Sequence, residues 1–106
     1  MKNDMKINKE QECYETETGT PTLTVVQSNG ERMIPWHGFL SGWYEGTRIE
    51  VLFQGWVLVI EGERLEALWE KLQLQDVRVL RKSKAAPANE FEGRISRLLL
   101  VTPSAD

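Results

Sequence analysis

The sequence is poor in the residues that build most catalytic and metal sites. Its 106 residues include one cysteine, Cys13, and one histidine, His37. A single cysteine cannot form an internal disulfide, and an ordinary structural zinc site needs several cysteine or histidine ligands. No sequence feature brings Cys13 near His37, and a general base also needs an orienting partner. The sequence therefore predicts a protein that is not an enzyme and that holds no metal and no cofactor.

Long apolar segments are also missing. The longest candidate, residues 56–60, is far shorter than the roughly 20 residues that a membrane-spanning helix needs. The first six residues include two lysines and an aspartate, and they lack the apolar stretch of a signal peptide. We therefore expect no membrane partner and, given the lone thiol, a cytoplasmic location.

Charge is unevenly distributed along the chain, whose net charge is −3. Residues 21–77 hold four basic and eight acidic side chains, whereas residues 78–97 hold six basic and two acidic ones. The overall sign disfavours a dedicated nucleic-acid-binding protein, but the basic segment 78–97 keeps that class open.

The pattern of polar and apolar residues divides the chain into three parts. Residues 1–20 are mostly polar, with scattered apolar positions, and predict a mobile arm. The composition is otherwise that of a globular protein, and regular apolar periodicity predicts a single domain over residues 21–102. Pro103 ends the last predicted strand, so residues 103–106 are predicted to form a tail.

Short β-prone runs dominate the predicted domain. The Asn29-Gly30 dipeptide between residues 22–27 and 31–34 indicates a hairpin, because both residues tolerate positive φ. Pro35 cannot donate to a β-ladder, so it either places the second strand at an edge or ends that strand. Residues 56–60 are apolar on both faces and predict a central strand covered on both sides. The remaining strands are predicted at residues 48–53, 77–80 and 91–101.

One helix is predicted over residues 63–73, where four apolar residues at i, i+3, i+4 and i+7 form a stripe. Strands followed by one helix and more strands indicate an α+β fold, a mostly antiparallel sheet of five or six strands with this helix packed on it. The predicted core comprises Leu23, Val25, Ile49, Val51, Phe53, Leu58, Ile60, Leu65, Leu68, Trp69, Leu72, Val77, Val79, Leu98 and Leu100.

Residues 36–46 interleave three glycines with four aromatic residues. The glycine spacing fits no nucleotide-binding loop and instead predicts bends, bulges or close backbone approach. A thin domain cannot bury all of its aromatic and apolar residues, and its final strand has an edge that could pair across subunits. The leading hypothesis is therefore a small protein–protein interaction module that self-associates. Its interface candidates are Trp36, Phe39, Trp43 and Tyr44.

Two other hypotheses stay open. One is a small-molecule binder with a pocket beside His37 and Trp43. The other is a nucleic-acid-binding accessory protein that combines cations with exposed aromatics for base stacking. Its candidate contacts are Arg81, Lys82, Lys84, Arg94 and Arg97.

One short stretch, residues 50–55, resembles the recognition sequence of a picornaviral cysteine protease. It departs from the engineered form of that site at Trp56, where the site has proline. The stretch lies within a strand pattern in the middle of the domain, so we interpret the match as a coincidence. We expect the folded protein to resist that protease.

Overall fold

The computed structural model describes residues 13–84 and 93–103. These residues form two four-stranded sheets, with strand orders β1-β7-β2-β3 and β4-β5-β6-β8. Every pairing is antiparallel except that of β2 with β7. A sheet-dominated α+β fold is thus confirmed, whereas a sheet of five or six strands is wrong. The elements are β1 (Tyr14–Thr16), β2 (Thr22–Gln27), β3 (Gly30–Pro35), β4 (Phe39–Glu45), β5 (Arg48–Phe53), β6 (Trp56–Glu63), α1 (Glu66–Gln73), β7 (Val77–Leu80) and β8 (Arg94–Val101).

The chain first passes from one sheet to the other at a 3₁₀ turn, Trp36–Gly38. Pro35 ends β3 because it has no N–H with which to continue the ladder. The turn is fixed by Trp36, whose indole Nε1 donates a 2.9 Å hydrogen bond to the carbonyl oxygen of Val77. The Trp36 ring is buried and lies 5.4 Å from that of Phe53, centroid to centroid. One aromatic residue therefore links β7 of the first sheet to β5 of the second.

The hairpin predicted at Asn29-Gly30 is confirmed, and a second hairpin joins β5 to β6. Gln27 pairs with Gly30 around the turn between β2 and β3, and β3 lies at an edge of the first sheet. Phe53 pairs with Trp56 around the turn between β5 and β6, where Gly55 has a φ of +87°. In both hairpins the residue with positive φ is a glycine, Gly30 at +143° after the first turn and Gly55 within the second. Asn29 does not have a positive φ, so its expected left-handed conformation is not what shapes the first turn.

Strand β6 is central, as predicted, but it is covered on one face only. It pairs with β5 on one side and β8 on the other. Leu58 and Ile60 are fully buried, whereas the alternate residues Val57 and Val59 are partly exposed. The predicted coverage of both faces is therefore wrong, and the second sheet keeps an open face.

The helix begins at Glu66 and not at residue 63. Glu63 completes β6, and Arg64 has a left-handed φ of 53°, which separates the strand from the helix. Leu68 and Leu72 are buried, but Trp69 is half-buried and lies along the edge of the core. No helix within residues 13–84 and 93–103 is long and apolar enough to cross a membrane.

Both sheets and the helix contribute to one hydrophobic core. All predicted core residues are buried except Trp69 and Val79, which are half-buried. The boundary of the predicted arm requires correction, because Tyr14–Thr16 pairs with β7 as strand β1. Residues 1–12 of the arm and residues 104–106 of the tail lie outside the described residues. The buried residues that the sequence pattern missed are Cys13, Tyr14, Ile34, Trp36, Leu80 and Ile95.

A β-bulge at Ser96 sets the orientation of β8. Glu61 pairs with Arg97 and Gly62 with Ile95, so Ser96 is an extra residue in β8. Because of this insertion, Ile95 and Leu98 are both buried although they are three positions apart. The bulge also turns Arg97 outward, onto the face of the sheet that the core does not cover.

Candidate interaction surfaces

The outer face of the second sheet, the side turned away from the core, carries three rows of residues that run across its four strands. The strand registers align each row, and residues of one row are neighbours about 4.8 Å apart. In the order β4, β5, β6, β8, the rows are Ser41, Leu52, Val57 and Val101; Trp43, Glu50, Val59 and Leu99; and Glu45, Arg48, Glu61 and Arg97.

Two of these rows form an apolar patch. Trp43 is 47% exposed, Leu52 37% and Val101 46%, and half-buried residues of β6 and β8 join them. Single exposed apolar residues are common on protein surfaces, but a contiguous patch usually marks an interaction site. The apolar patch comprises Trp43, Leu52, Val57, Val59, Leu99 and Val101.

The third row alternates in charge from strand to strand: acidic on β4, basic on β5, acidic on β6 and basic on β8. Arg48 contacts Glu61 and lies 2.9 Å from a carboxylate oxygen of Glu50, and Arg97 lies 3.5 Å from Glu61. These side chains remain partly exposed, so the pairs add little stability. Their regular alternation is instead available to a partner. We call Glu45, Arg48, Glu61 and Arg97 the charged row.

The structure places the four aromatic interface candidates in different environments. Trp36 belongs to the core, so its assignment to an interface is wrong. Phe39 is half-buried, with its ring 6.2 Å from that of Phe53. Tyr44 points inward and stacks on Trp69, with 5.4 Å between ring centroids. Of the four candidates, Trp43 alone faces outward.

Tyr44 lies in an electrostatically unfavourable place for ionisation. Partial burial, and to a lesser degree the Glu66 carboxylate, raise the pKa of Tyr44 above its ordinary value of 10.0. The phenol stays neutral and can pack against Trp69 over the whole physiological range. Tyr44 is therefore a structural link between β4 and α1.

The other members of the apolar patch come from runs that the sequence analysis assigned to buried strands. Residues 56–60 and 98–101 are apolar at consecutive positions, which indicates two apolar faces. The sequence therefore contained the signal for an apolar outer face. It did not indicate whether a second layer of the protein covers that face.

Four of the five predicted nucleic-acid contacts lie together in a groove beside β8. The groove has a volume of about 680 Å³, and its lining residues among those described include no acidic side chain. It runs between the β2–β3 turn, the segment after β7, and β8. The basic groove is lined by Arg81, Lys82, Lys84 and Arg97, with Val26, Gln27, Ser28, Asn29, Leu98 and Leu99.

Two backbone contacts hold the basic segment in place. Arg81 N–H donates to the carbonyl of Cys13 at 2.8 Å, and its guanidinium pairs with Glu15. Ser83 N–H donates to the carbonyl of Ile95 at 2.8 Å, and Ile95 N–H donates to Ser83 Oγ at 3.0 Å. Buried Ser83 thus fixes the direction in which Lys82 and Lys84 leave the backbone.

Arg94 is not part of the basic groove. It lies at the opposite end of β8, in a hollow that also contains the carboxylates of Glu61 and Glu63. Its Nε atom is buried and has no hydrogen-bond partner in the described part of the chain. Arg48 also lines this hollow, which therefore holds two cations and two carboxylates. The structure thus places Arg94 apart from the other four nucleic-acid candidates.

The pocket closest to the predicted small-molecule site is apolar and lies between α1 and the second sheet. It has a volume of about 320 Å³ and is lined mainly by aromatic and aliphatic groups. Neither His37 nor Trp43 lines it. His37 is exposed in the 3₁₀ turn, and Trp43 lies on the outer face. The lining residues are Trp36, Phe39, Gly42, Val51, Trp69, Leu72 and Gln73.

The fold and these surfaces define a class: a small two-sheet α+β domain with one open, apolar sheet face and an adjoining basic groove. Within residues 13–84 and 93–103, no three His, Cys, Asp or Glu side chains are grouped so that they could hold a metal ion. Comparisons of the chain with protein-family models, with curated proteins and with solved structures gave no significant match.

Proposed function

We propose that this chain is a protein–protein interaction module that self-associates through the outer face of its second sheet. The observation that carries the proposal is the charged row beside the apolar patch. Two copies of one surface can pair only if that surface is complementary to itself. The charged row has this property.

Consider two copies packed face to face about a two-fold axis parallel to the strands. Strand β4 of one protomer then faces β8 of the other, and β5 faces β6. Glu45 meets Arg97 of the partner subunit, and Arg48 meets Glu61 of the partner subunit. All four positions of the charged row are opposed by opposite charges, an arrangement that favours this orientation over others.

The same axis brings apolar residues together. Trp43 lies opposite Leu99 of the partner subunit, and Leu52 lies opposite Val57 of the partner subunit. Glu50, which interrupts the patch, is drawn toward Arg48 of its own chain at 2.9 Å. The pairing therefore buries the apolar patch without isolating a carboxylate at its centre.

The size of the face indicates how strong this association is. Four strands about 4.8 Å apart and five residues of about 3.3 Å rise give a planar area of roughly 300–400 Å² on each subunit. A standard stable interface buries about 800 Å² on each partner. We therefore expect a weak dimer whose population depends on protein concentration.

Sedimentation velocity over a wide concentration range tests the proposal with two variants. Leu52→Glu places a charge in the apolar patch on an exposed position, and it should abolish the dimer. Met33→Glu is the matched control, because Met33 is 68% exposed but lies on β3 of the first sheet; it should leave the dimer unchanged. A wild-type protein that is monomeric at every concentration would contradict the proposal.

A charge-swap experiment tests the orientation. Arg97→Glu should weaken the dimer, since it opposes Glu45 of the partner subunit with a like charge. Adding Glu45→Arg to the same chain should restore it. A double variant that stays as weak as the single one would show that these two positions do not meet.

We also propose a cytoplasmic location and a non-catalytic role. The support for the location is that the chain has one cysteine, Cys13, which is buried and cannot form an internal disulfide; chains without disulfides are typical of reducing compartments. Cell fractionation with detection of the chain tests the location. Recovery of the protein in an oxidising compartment would contradict it.

A further inference from the structure

We infer that the basic groove binds single-stranded nucleic acid through the phosphate backbone, without reading the bases. The groove adjoins the proposed dimer interface and shares Arg97 and Leu99 with it, but its other lining residues lie outside that interface. The inference does not rest on self-association. Its starting point is the charge of the groove. The chain carries a net charge of −3, yet the described residues that line this groove include four cations and no carboxylate.

A groove with walls of one sign concentrates ions of the opposite sign. Arg81 and Arg97 each have a carboxylate neighbour outside the groove, Glu15 and Glu61 respectively. These carboxylates hold the two guanidinium groups in place. The polar side chains at the β2–β3 turn, Gln27, Ser28 and Asn29, complete the opposite wall. Arginine, lysine, serine, asparagine and glutamine are the side chains that commonly contact phosphate oxygens.

The geometry of β8 favours nucleic acid over an acidic polypeptide. A peptide that docks beside an edge strand gains most of its affinity by adding to the sheet. Next to the groove, at Ile95, this position is occupied, since Ser83 takes both the N–H and the carbonyl of Ile95; an added strand could therefore pair only with β8 beyond Ile95. A phosphate backbone needs no such ladder and can follow the side-chain cations alone.

None of the described residues that line the groove is aromatic, and this determines the mode of binding. Proteins that stack bases of single strands present aromatic rings in the groove itself. Here Trp36 is buried, and Trp43 lies on β4, three strand spacings or about 14 Å from β8. Binding therefore depends on phosphate contacts, which makes it indifferent to sequence and sensitive to salt.

Fluorescence anisotropy with a labelled single-stranded oligothymidylate tests the inference on the full chain. Four phosphate contacts predict a slope of about −3 in a plot of log binding constant against log salt concentration. Lys82→Glu and Lys84→Glu should each weaken binding roughly tenfold or more at low salt. Lys71→Glu makes the same charge change on the exposed face of α1, and it should weaken binding about twofold or less.

Three results would overturn the inference. The first is no binding of the oligonucleotide at low salt. The second is an equal effect of Lys71→Glu and Lys82→Glu, which would indicate only a general response to net charge. The third is tighter binding of polyglutamate that displaces the oligonucleotide, which would assign the groove to an acidic polypeptide.

The dimer variant separates this inference from the proposed function. Leu52→Glu lies outside the groove lining, so it should become monomeric and still bind the oligonucleotide. Loss of binding in that variant would place the contact on the outer face and would refute the assignment to the groove. Failure of the dimer proposal, in contrast, leaves the effects of Lys82→Glu and Lys84→Glu as predicted.

Discussion

Gly62 should be the least replaceable glycine of the second sheet. It is buried in β6, opposite the bulge of β8, and its N–H donates to the carbonyl of Thr47 at 3.0 Å. A methyl group at this position would lie 1.9 Å from the carbonyl oxygen of Arg94 and 3.0 Å from the Cα of Ile95. These are backbone atoms, so no side-chain rotation relieves the contact.

The cost of Gly62→Ala can be estimated from this geometry. A carbon and an oxygen atom in contact are normally about 3.3–3.6 Å apart, so the two strands must separate by more than about 1 Å. Overpacking of this kind costs about 1–3 kcal/mol. Loss of one ladder hydrogen bond adds about 1 kcal/mol. We therefore expect Gly62→Ala to lower the free energy of unfolding by roughly 2–4 kcal/mol.

Gly38→Ala is the matched control. Neither glycine has a positive φ, and a methyl group at Gly38 would lie no closer than 3.8 Å to Gln54. Alanine there should leave stability within about 0.5 kcal/mol or raise it slightly, because it reduces the entropy of the unfolded chain. Urea denaturation of both variants measures the difference. A Gly62→Ala protein as stable as Gly38→Ala would refute the pairing of β6 with β8 at the bulge.

Three further predictions test other parts of the fold. Trp36→Phe should lower the free energy of unfolding by about 1–3 kcal/mol, since it removes the indole N–H that donates to the carbonyl of Val77 inside the core; unchanged urea denaturation would contradict this hydrogen bond. Because folding raises the pKa of Tyr44, its phenol ionises at a lower pH in the unfolded chain than in the folded one. The free energy of unfolding should therefore be constant below about pH 10 and decrease as the pH rises through the raised pKa. In urea denaturation measured at several alkaline pH values, Tyr44→Phe should make this decrease in the free energy of unfolding smaller. Residues 50–55 should resist the picornaviral protease, because Phe53 is buried and β5 pairs with strands on both sides; rapid cleavage after Gln54 would contradict this.

Much of the fold follows from short-range patterns. The hairpin at Asn29-Gly30 and the turn at Gly55 depend on residues that tolerate positive φ, which is a local property. The stripe of Leu65, Leu68 and Leu72 predicts a helix whatever the rest of the chain does. The helix start was less predictable, because Arg64 takes a left-handed conformation that its residue type does not favour.

The sites were less predictable than the elements. Trp36 and Trp43 have the same residue type and similar neighbours in the chain, yet one is buried and the other exposed. Their fates differ because the chain changes sheets at Trp36, where the carbonyl of Val77 lies within reach of the indole. That contact joins residues 41 positions apart, and no local pattern indicates it.

The sequence by itself determined the helix, most of the strands although not β1 and β4, and which alternate residues share a face wherever no bulge intervenes. Only the tertiary structure decided which of those faces the core covers. A period of two assigns Val57 and Leu58 to opposite sides of β6, but the side that faces solvent depends on where the other sheet and α1 pack. The charged row likewise depends on long-range register, since the bulge at Ser96 is what aligns Arg97 with Glu61. Cross-strand register is set by contacts between distant segments, and for that reason the interaction surfaces could not be derived from the order of residues alone.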